Sequence, residues 1–216
     1  MQIRKFLIST LAAAAFAFPG FADAEKEAFV RDNGQQVLAS LNDSSLSADQ
    51  RTVKFGEYME EFTDMERVAF FVLGRHRRDF SDAELQEYVA AFKRYALTVY
   101  EVELDQYRGE AINVKGSTDR SETDAIVETV IRRADGRDLE VLWRVIEREG
   151  QMNVMDVALN IDGNLIWLAI EQRQQIDSVA DRARDPARAV IEKLDQMTAK
   201  LEAEKRAALG KATGKG

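Results

Sequence analysis

The hydrophobic pattern changes period at Gly109, and that change limits the fold more than any motif in the chain. Before it, apolar residues recur at three- and four-residue steps, as on a helix face. After it come short runs of β-branched and large apolar residues, cut by turn signals. Helical patterns return only toward the C-terminus. Blocks of helix and strand, rather than alternation between them, imply an α+β domain with an antiparallel sheet and not a parallel α/β one.

The first block reads as four helices. Residues 25–41 carry a loose apolar stripe of Phe29, Val30, Val37, Leu38 and Leu41. Ser47 with Gln50 forms a capping box that opens a helix through Val53, Tyr58, Met59 and Phe62. Thr63 with Glu66 forms a second, opening a short helix with Val68, Phe71 and Val72 that stops at Gly74. Ser81 with Glu84 forms a third, with Phe80 and Leu85 at the staple positions. Leu85, Val89, Phe92, Tyr95, Ala96 and Val99 give that last helix one apolar face, and Gly109 suits its end, so helix is expected over 81–108. Such a helix, roughly 40 Å long at 1.5 Å per residue, needs a long surface to lie on. We expect that surface to be the sheet, with the face of Phe92, Tyr95 and Val99 not closing completely on it and forming one wall of a cavity.

Four antiparallel strands are expected at 111–117, 124–134, 139–148 and 152–159, with Asp135-Gly136 and Glu149-Gly150 as turn signals. The run Leu139-Glu140-Val141-Leu142-Trp143-Arg144-Val145-Ile146 is apolar on both sides of the pleat, so it is covered on both faces or lines a cavity on one. Residues 165–182 read as helical again. Asp185-Pro186 opens a final helix through Val190, Ile191, Leu194, Met197 and Leu201. The charged Ala-Lys-Gly tail, 205–216, is expected to be disordered.

The N-terminus stands apart. Arg4 and Lys5 precede an apolar run from Phe6 to Phe18, which is broken by Pro19-Gly20 and followed by Ala22-Asp23-Ala24. This is the pattern of a secretory signal peptide over 1–24, leaving a domain at 25–204. The run is too short to span a bilayer as a helix. The expected address is the periplasm. With no cysteine there is no disulfide, thiol nucleophile or thiolate metal site, and the core alone must hold the exported fold. The net charge of −8 argues against nucleic acid and against charge-driven adhesion to anionic lipid.

Catalytic signals are sparse. The one histidine, His76, lies among arginines and reads as a partly exposed side chain after a helix end. No serine stands in a Gly-x-Ser-x-Gly turn. The tail sequence Gly210-Lys211-Ala212-Thr213-Gly214-Lys215 has the wrong spacing for a phosphate loop. Asp156 stands among apolar neighbours in Met152-Asn153-Val154-Met155-Asp156-Val157. It is expected to be paired or hydrogen-bonded, because a lone buried charge is costly. Arg173 is its expected partner, or else faces a ligand anion; a general base at Asp156 is the alternative. Phe70, Phe71, Phe92, Tyr95, Tyr100, Trp143 and Trp167 suit a core. Together with a sheet apolar on both faces, they also supply enough surface to enclose an apolar ligand.

The segment Val68-Ala69-Phe70-Phe71-Val72-Leu73-Gly74-Arg75-His76-Arg77-Arg78 resembles the "iA-x-(f/y)-vLGryWr" segment of the MlaC-type periplasmic phospholipid carriers, the toluene-tolerance family. Ser81-Asp82-Ala83-Glu84-Leu85-Gln86-Glu87-Tyr88 resembles the following helix start. Phe92, Tyr95, Tyr100, Leu104, Tyr107 and Gly109-Glu110 resemble its continuation. Met155-Asp156-Val157 and Trp167-Leu168-Ala169-Ile170-Glu171-Gln172-Arg173-Gln174-Gln175 resemble the last-strand Asp and a helix carrying an Arg. The resemblance covers about 50–179. Two features depart from it: His76-Arg77 stands where the family often has Tyr-Trp, and Asp156 and Arg173 are further apart than usual.

The resemblance implies a curved four-stranded antiparallel sheet wrapped by helices, related to the cone-shaped nuclear-transport-factor fold. It also implies a bound phospholipid as ligand, with no cofactor, metal or catalytic residue. The lipid would pass between an outer-membrane complex and an inner-membrane ABC transporter. Residues expected to line the apolar cavity are Val68, Phe71, Val72, Phe92, Tyr95, Val99, Val130, Leu142, Val145, Val154, Val157, Ile166, Trp167 and Ile170. Asp156 and Arg173 are assigned to the head group or to structure. A carrier for another lipid, hopanoid-like, a cone-fold enzyme using Asp156, and a purely structural interaction protein remain open alternatives.

Overall fold

The structure, a computed structural model, describes residues 21–103, 109–133, 136–161 and 163–213. Residues 1–20 of the expected leader, 1–24, and residues 104–108 at the end of the expected long helix lie outside the described residues. Helix α1 (Phe21–Asn42) begins upstream of the expected cleavage site. It is followed by α2 (Ala48–Phe62), α3 (Met65–Leu73), a 3₁₀ segment (Gly74–Asp79) and α4 (Asp82–Glu103).

The helix starts follow their caps, with one correction. Ser47 and Gln50 form the expected reciprocal box. The Glu84 carboxylate accepts from Ser81 N at 2.7 Å, while Glu84 N donates to Ser81 Oγ at 3.4 Å. Thr63, however, does not cap α3. It is extended and closes α2, and Asp64 caps instead, its Oδ1 accepting from Arg67 N at 3.0 Å. A carboxylate one residue later reaches the same orphan N–H groups and favours the positive end of the helix.

The sheet has five strands and not four. β1 (Gly109–Ser121), β2 (Asp124–Arg133), β3 (Asp138–Arg148), β4 (Gln151–Ile161) and β5 (Asn164–Trp167) are antiparallel neighbours in chain order. β5 occupies the start of the stretch expected to be helical. The turn signal for it, Asp162-Gly163, stood in the sequence: Ile161 pairs with Asn164, and Gly163 takes φ +84°. Helix α5 (Leu168–Ala180) then begins directly at the strand end. Register shifts in β1–β2 and an extra residue, Met155, opposite β3 bend the sheet.

Pairing register divides the sheet into two faces. The front carries Ile112, Val127, Ile131, Val141, Trp143, Val145, Val157, Leu159 and Ile166. There α1 packs over β1 and β2 through Phe29, Val30 and Leu38. The approach is close enough that a Cβ on Gly34 would stand 2.7 Å from Ile112 Cδ1. The back carries Ile146, Met155, Asp156 and Ala158, and meets α3 and α5. Beyond these, α3, α4, α5 and α6 (Pro186–Thr213) form a helical layer with its own core of Val72, Leu73, Tyr88, Phe92, Ile176, Val190 and Leu194.

Two expectations change here. The apolar face of α4 lies mainly on α6 and α3 rather than on the sheet. Helix α6 runs to Thr213, through most of the tail expected to be disordered, and is laced by pairs such as Lys200–Glu204 and Arg206–Glu202.

Candidate functional site

The residues expected to line one cavity do not share one surface. Val68, Val72, Phe92 and Tyr95 are buried inside the helical layer, with Phe71 and Val99 half-buried at its margin. Val145, Val154, Val157 and Ile166 belong to the front of the sheet. Val130, Leu142 and Trp167 belong to the back. Ile170, in the first turn of α5, is 43% exposed. The cause is the period of a strand: neighbours in sequence point to opposite faces.

What the structure does bring together is a row on the front face beyond α1. That helix covers β1 and β2. On β3 to β5 the row Trp143, Val157, Leu159 and Ile166 is half-buried, and it carries no charge. Cross-strand pairs Trp143–Val157 and Leu159–Ile166 make it continuous. The one polar atom, the indole N–H, is satisfied internally: Trp143 Nε1 donates to Thr129 Oγ1 at 2.8 Å, and Thr129 Oγ1 donates to the Val141 carbonyl. Phe29 of α1 packs at the side of this row and meets Phe62 of α2 edge-on at 6.5 Å between ring centres. Sequence reading left Leu159 and Phe62 out of the site and placed Trp143 only in a general aromatic core. The alternation of 141, 143, 145 and of 157, 159 was a usable signal.

The row lies outside the two best-formed concavities of the structure. Among the described residues, the two best-formed concavities hold about 240 and 320 Å³ and lie elsewhere. One is polar, between the α2–α3 junction and β4, lined by Glu60, Glu61, Asp64 and Asn153 among others. The other is a shallow depression along α2 at Val53.

Asp156 is 7% exposed and caps a helix from another element. Its Oδ1 accepts from Ala169 N in the first turn of α5 at 2.9 Å and from Val157 N at 2.8 Å. Burial raises its carboxyl from the ordinary Asp value, against the backbone N–H groups of Ala169 and Val157, the nearby Arg144 charge and the Ile170 N–H, which lower it. Arg173 is not its partner. The Arg173 guanidinium lies over the Phe71 ring at 5.3 Å, and a Cβ on Gly74, which has φ +58°, would stand 2.9 Å from it. The Leu73-Gly74 turn is therefore shaped around Arg173.

His76 is not partly exposed. It is 6% exposed and faces three carboxylates. Nδ1 is 3.4 Å from Asp79; Nε2 is 3.4 Å from Asp177 and 3.3 Å from Asp181. Arg75 closes this cluster, its Nη2 donating to both oxygens of Asp181 at 2.6 and 2.5 Å. Among the described residues no group of three or more His, Cys, Asp or Glu side chains could hold a metal ion, and no helix is long and apolar enough to cross a membrane.

Comparison with known proteins follows from this geometry. Among solved structures, the chain is similar to the phospholipid-binding protein from Ralstonia solanacearum, determined in complex with a phospholipid. The TM-score is 0.70 at 20% identity, over 82% of this chain and 98% of that one. The likeness confirms an α+β fold with a curved antiparallel sheet. No curated protein matches the chain. The family model described as MlaC protein matches residues 31–196, and the chain belongs to that family.

Proposed function

We propose that the protein is a periplasmic carrier that takes up one phospholipid and passes it between an outer-membrane complex and an inner-membrane ABC transporter. The observation that carries this reading is the half-buried, charge-free row Trp143–Val157–Leu159–Ile166 in a fold whose solved relative holds a phospholipid. The acyl chains lie along this row, between the sheet front and α1 with α2. Those walls part to admit them, since neither of the two best-formed concavities lies along the row.

The energetics suit transfer. Burial is worth about 0.8 kcal/mol per CH₂, so two chains contribute on the order of 20 kcal/mol. A bilayer offers a similar amount, which keeps exchange near neutral and requires no catalytic group. The arrangement of Asp156 supports binding rather than catalysis, because its Oδ1 is spent on two backbone N–H groups.

Delipidated protein offered labelled phospholipid in vesicles should take up one molecule per chain. Val157→Trp, which fills the row, should lower uptake at least tenfold while circular dichroism stays native. Absence of uptake by the unmutated protein, or full uptake by the variant, sinks the proposal.

A further inference from the structure

Both ring nitrogens of His76 stand within 3.4 Å of carboxylate oxygens, which can only accept. Nδ1 faces Asp79 on the 3₁₀ segment, while Nε2 faces Asp177 in the last turn of α5 and Asp181, its C-cap. His76 Nε2 and Asp177 Oδ1 are buried without a hydrogen-bond partner, although they stand 3.4 Å apart. A neutral imidazole has one donor and one acceptor, so it always turns a lone pair toward a carboxylate. Only the imidazolium, with two donors, satisfies both sides.

The remaining charges do not change this. On the 3₁₀ segment, Arg75 is held by Asp181, and Arg77 lies over the Phe70 ring at 3.9 Å. Arg78 is exposed. The last turn of α3 carries no basic group. At the start of α6, Arg188 N donates to Asp185 Oδ1 and Arg188 Nε donates to Glu192. Arg182, just past α5, bonds Ser178, and Arg173 on α5 covers Phe71. Among the described residues, the carboxylates within 4 Å of the His76 ring nitrogens are those of Asp79, Asp177 and Asp181 alone.

The position of this cluster gives it leverage. Helix α5 joins the two halves of the molecule, packing on α3 and α6 and also on β4 and β5. Its first turn is fixed by Asp156. Its last turns, with Asp177 and Asp181, are fixed by His76 and Arg75. We infer that His76 is a proton-dependent clasp: protonated, it locks the C-terminal end of α5 to the 3₁₀ segment, and its deprotonation loosens α5 and speeds exchange of the bound phospholipid. The lipid half of this statement rests on the carrier reading above; the clasp itself does not.

Two readouts separate them. Amide hydrogen exchange in α5 and the 3₁₀ segment, corrected for intrinsic rates, is followed across about pH 5 to 8, where histidine changes charge. Transfer of a fluorescent phospholipid to phosphatidylcholine vesicles is followed over the same range. Both opening of α5 and lipid transfer should rise about five- to tenfold toward the upper end, a coupling of ordinary size. His76→Gln should remove that dependence and behave at every pH like the unmutated protein at the upper end. If His76→Gln does not fold, Asp177→Asn replaces it and should at least halve the dependence. A flat α5 profile in the unmutated protein, or an unchanged profile in the variant, overturns the clasp. A clasp that opens while lipid transfer stays flat overturns its link to exchange. Lack of any lipid uptake, with α5 still responding through His76, sinks the carrier reading and leaves the clasp standing.

Discussion

Asp156 shows how far a single residue can be read. Its place among apolar neighbours marked it as bound to something, and the structure agrees. Its partners are the N–H groups of Val157 and Ala169, and backbone groups leave no signature in a sequence. Removing the acceptor while keeping the fold should cost about 1–2 kcal/mol, the value of a lost cap. Urea titration of Asp156→Ala reads this directly. Asp156→Asn should differ, because it keeps the acceptor without the buried charge. Since burial raises the carboxyl, the folded chain holds its proton more tightly than the unfolded chain. The stability this contributes is present in acid and is lost as pH rises from about 3.9 through the folded value. Near neutrality Asp156→Asn should therefore match the unmutated protein or exceed it by up to about 1 kcal/mol. Gly74 makes a second point at this scale. Gly74→Ala meets both a positive φ and the Arg173 guanidinium, and should cost about 1–3 kcal/mol in the same titration.

At the scale of elements, the sequence was most readable where local chemistry decides. The boxes at Ser47 and Ser81 start helices where expected, because cap and helix are neighbours in the chain. Partnership was not readable. The apolar faces of α4 and α6 are both evident from their spacing, yet nothing in either names the other as its surface. β5 was lost for another reason: Leu165-Ile166-Trp167 continues smoothly into the α5 pattern, and the Asp162-Gly163 turn was passed over. The joint between α3 and α4 can be weighed through Tyr88, which is fully buried and donates to the Ala69 carbonyl at 2.8 Å. Burial also pushes its phenol well above the usual value. Tyr88→Phe leaves that carbonyl short of a donor and should destabilise the protein by about 1–2 kcal/mol, measured by thermal or urea unfolding.

At the scale of the molecule, the apolar face of α4, expected to wall a cavity, packs mainly on α6 and α3, while the sheet front carries a half-buried apolar row of its own. The residues named for that cavity were apolar and in contact with cores, but alternation scattered them over both faces of the sheet. The buried residues form two main clusters: one joins α1 to the sheet front, the other unites α3 to α6 with a few residues of the back. A chain built in this way has two cooperative units rather than one, and its native state should open in parts. Hydrogen exchange under increasing denaturant should resolve amides of β2 and β3 from amides of α4 and α6 as two groups with distinct opening free energies. For a molecule that must admit and surrender a guest as large as itself is narrow, this matters in time as well as in space: one unit can breathe on the timescale of exchange while the other keeps the chain from unfolding.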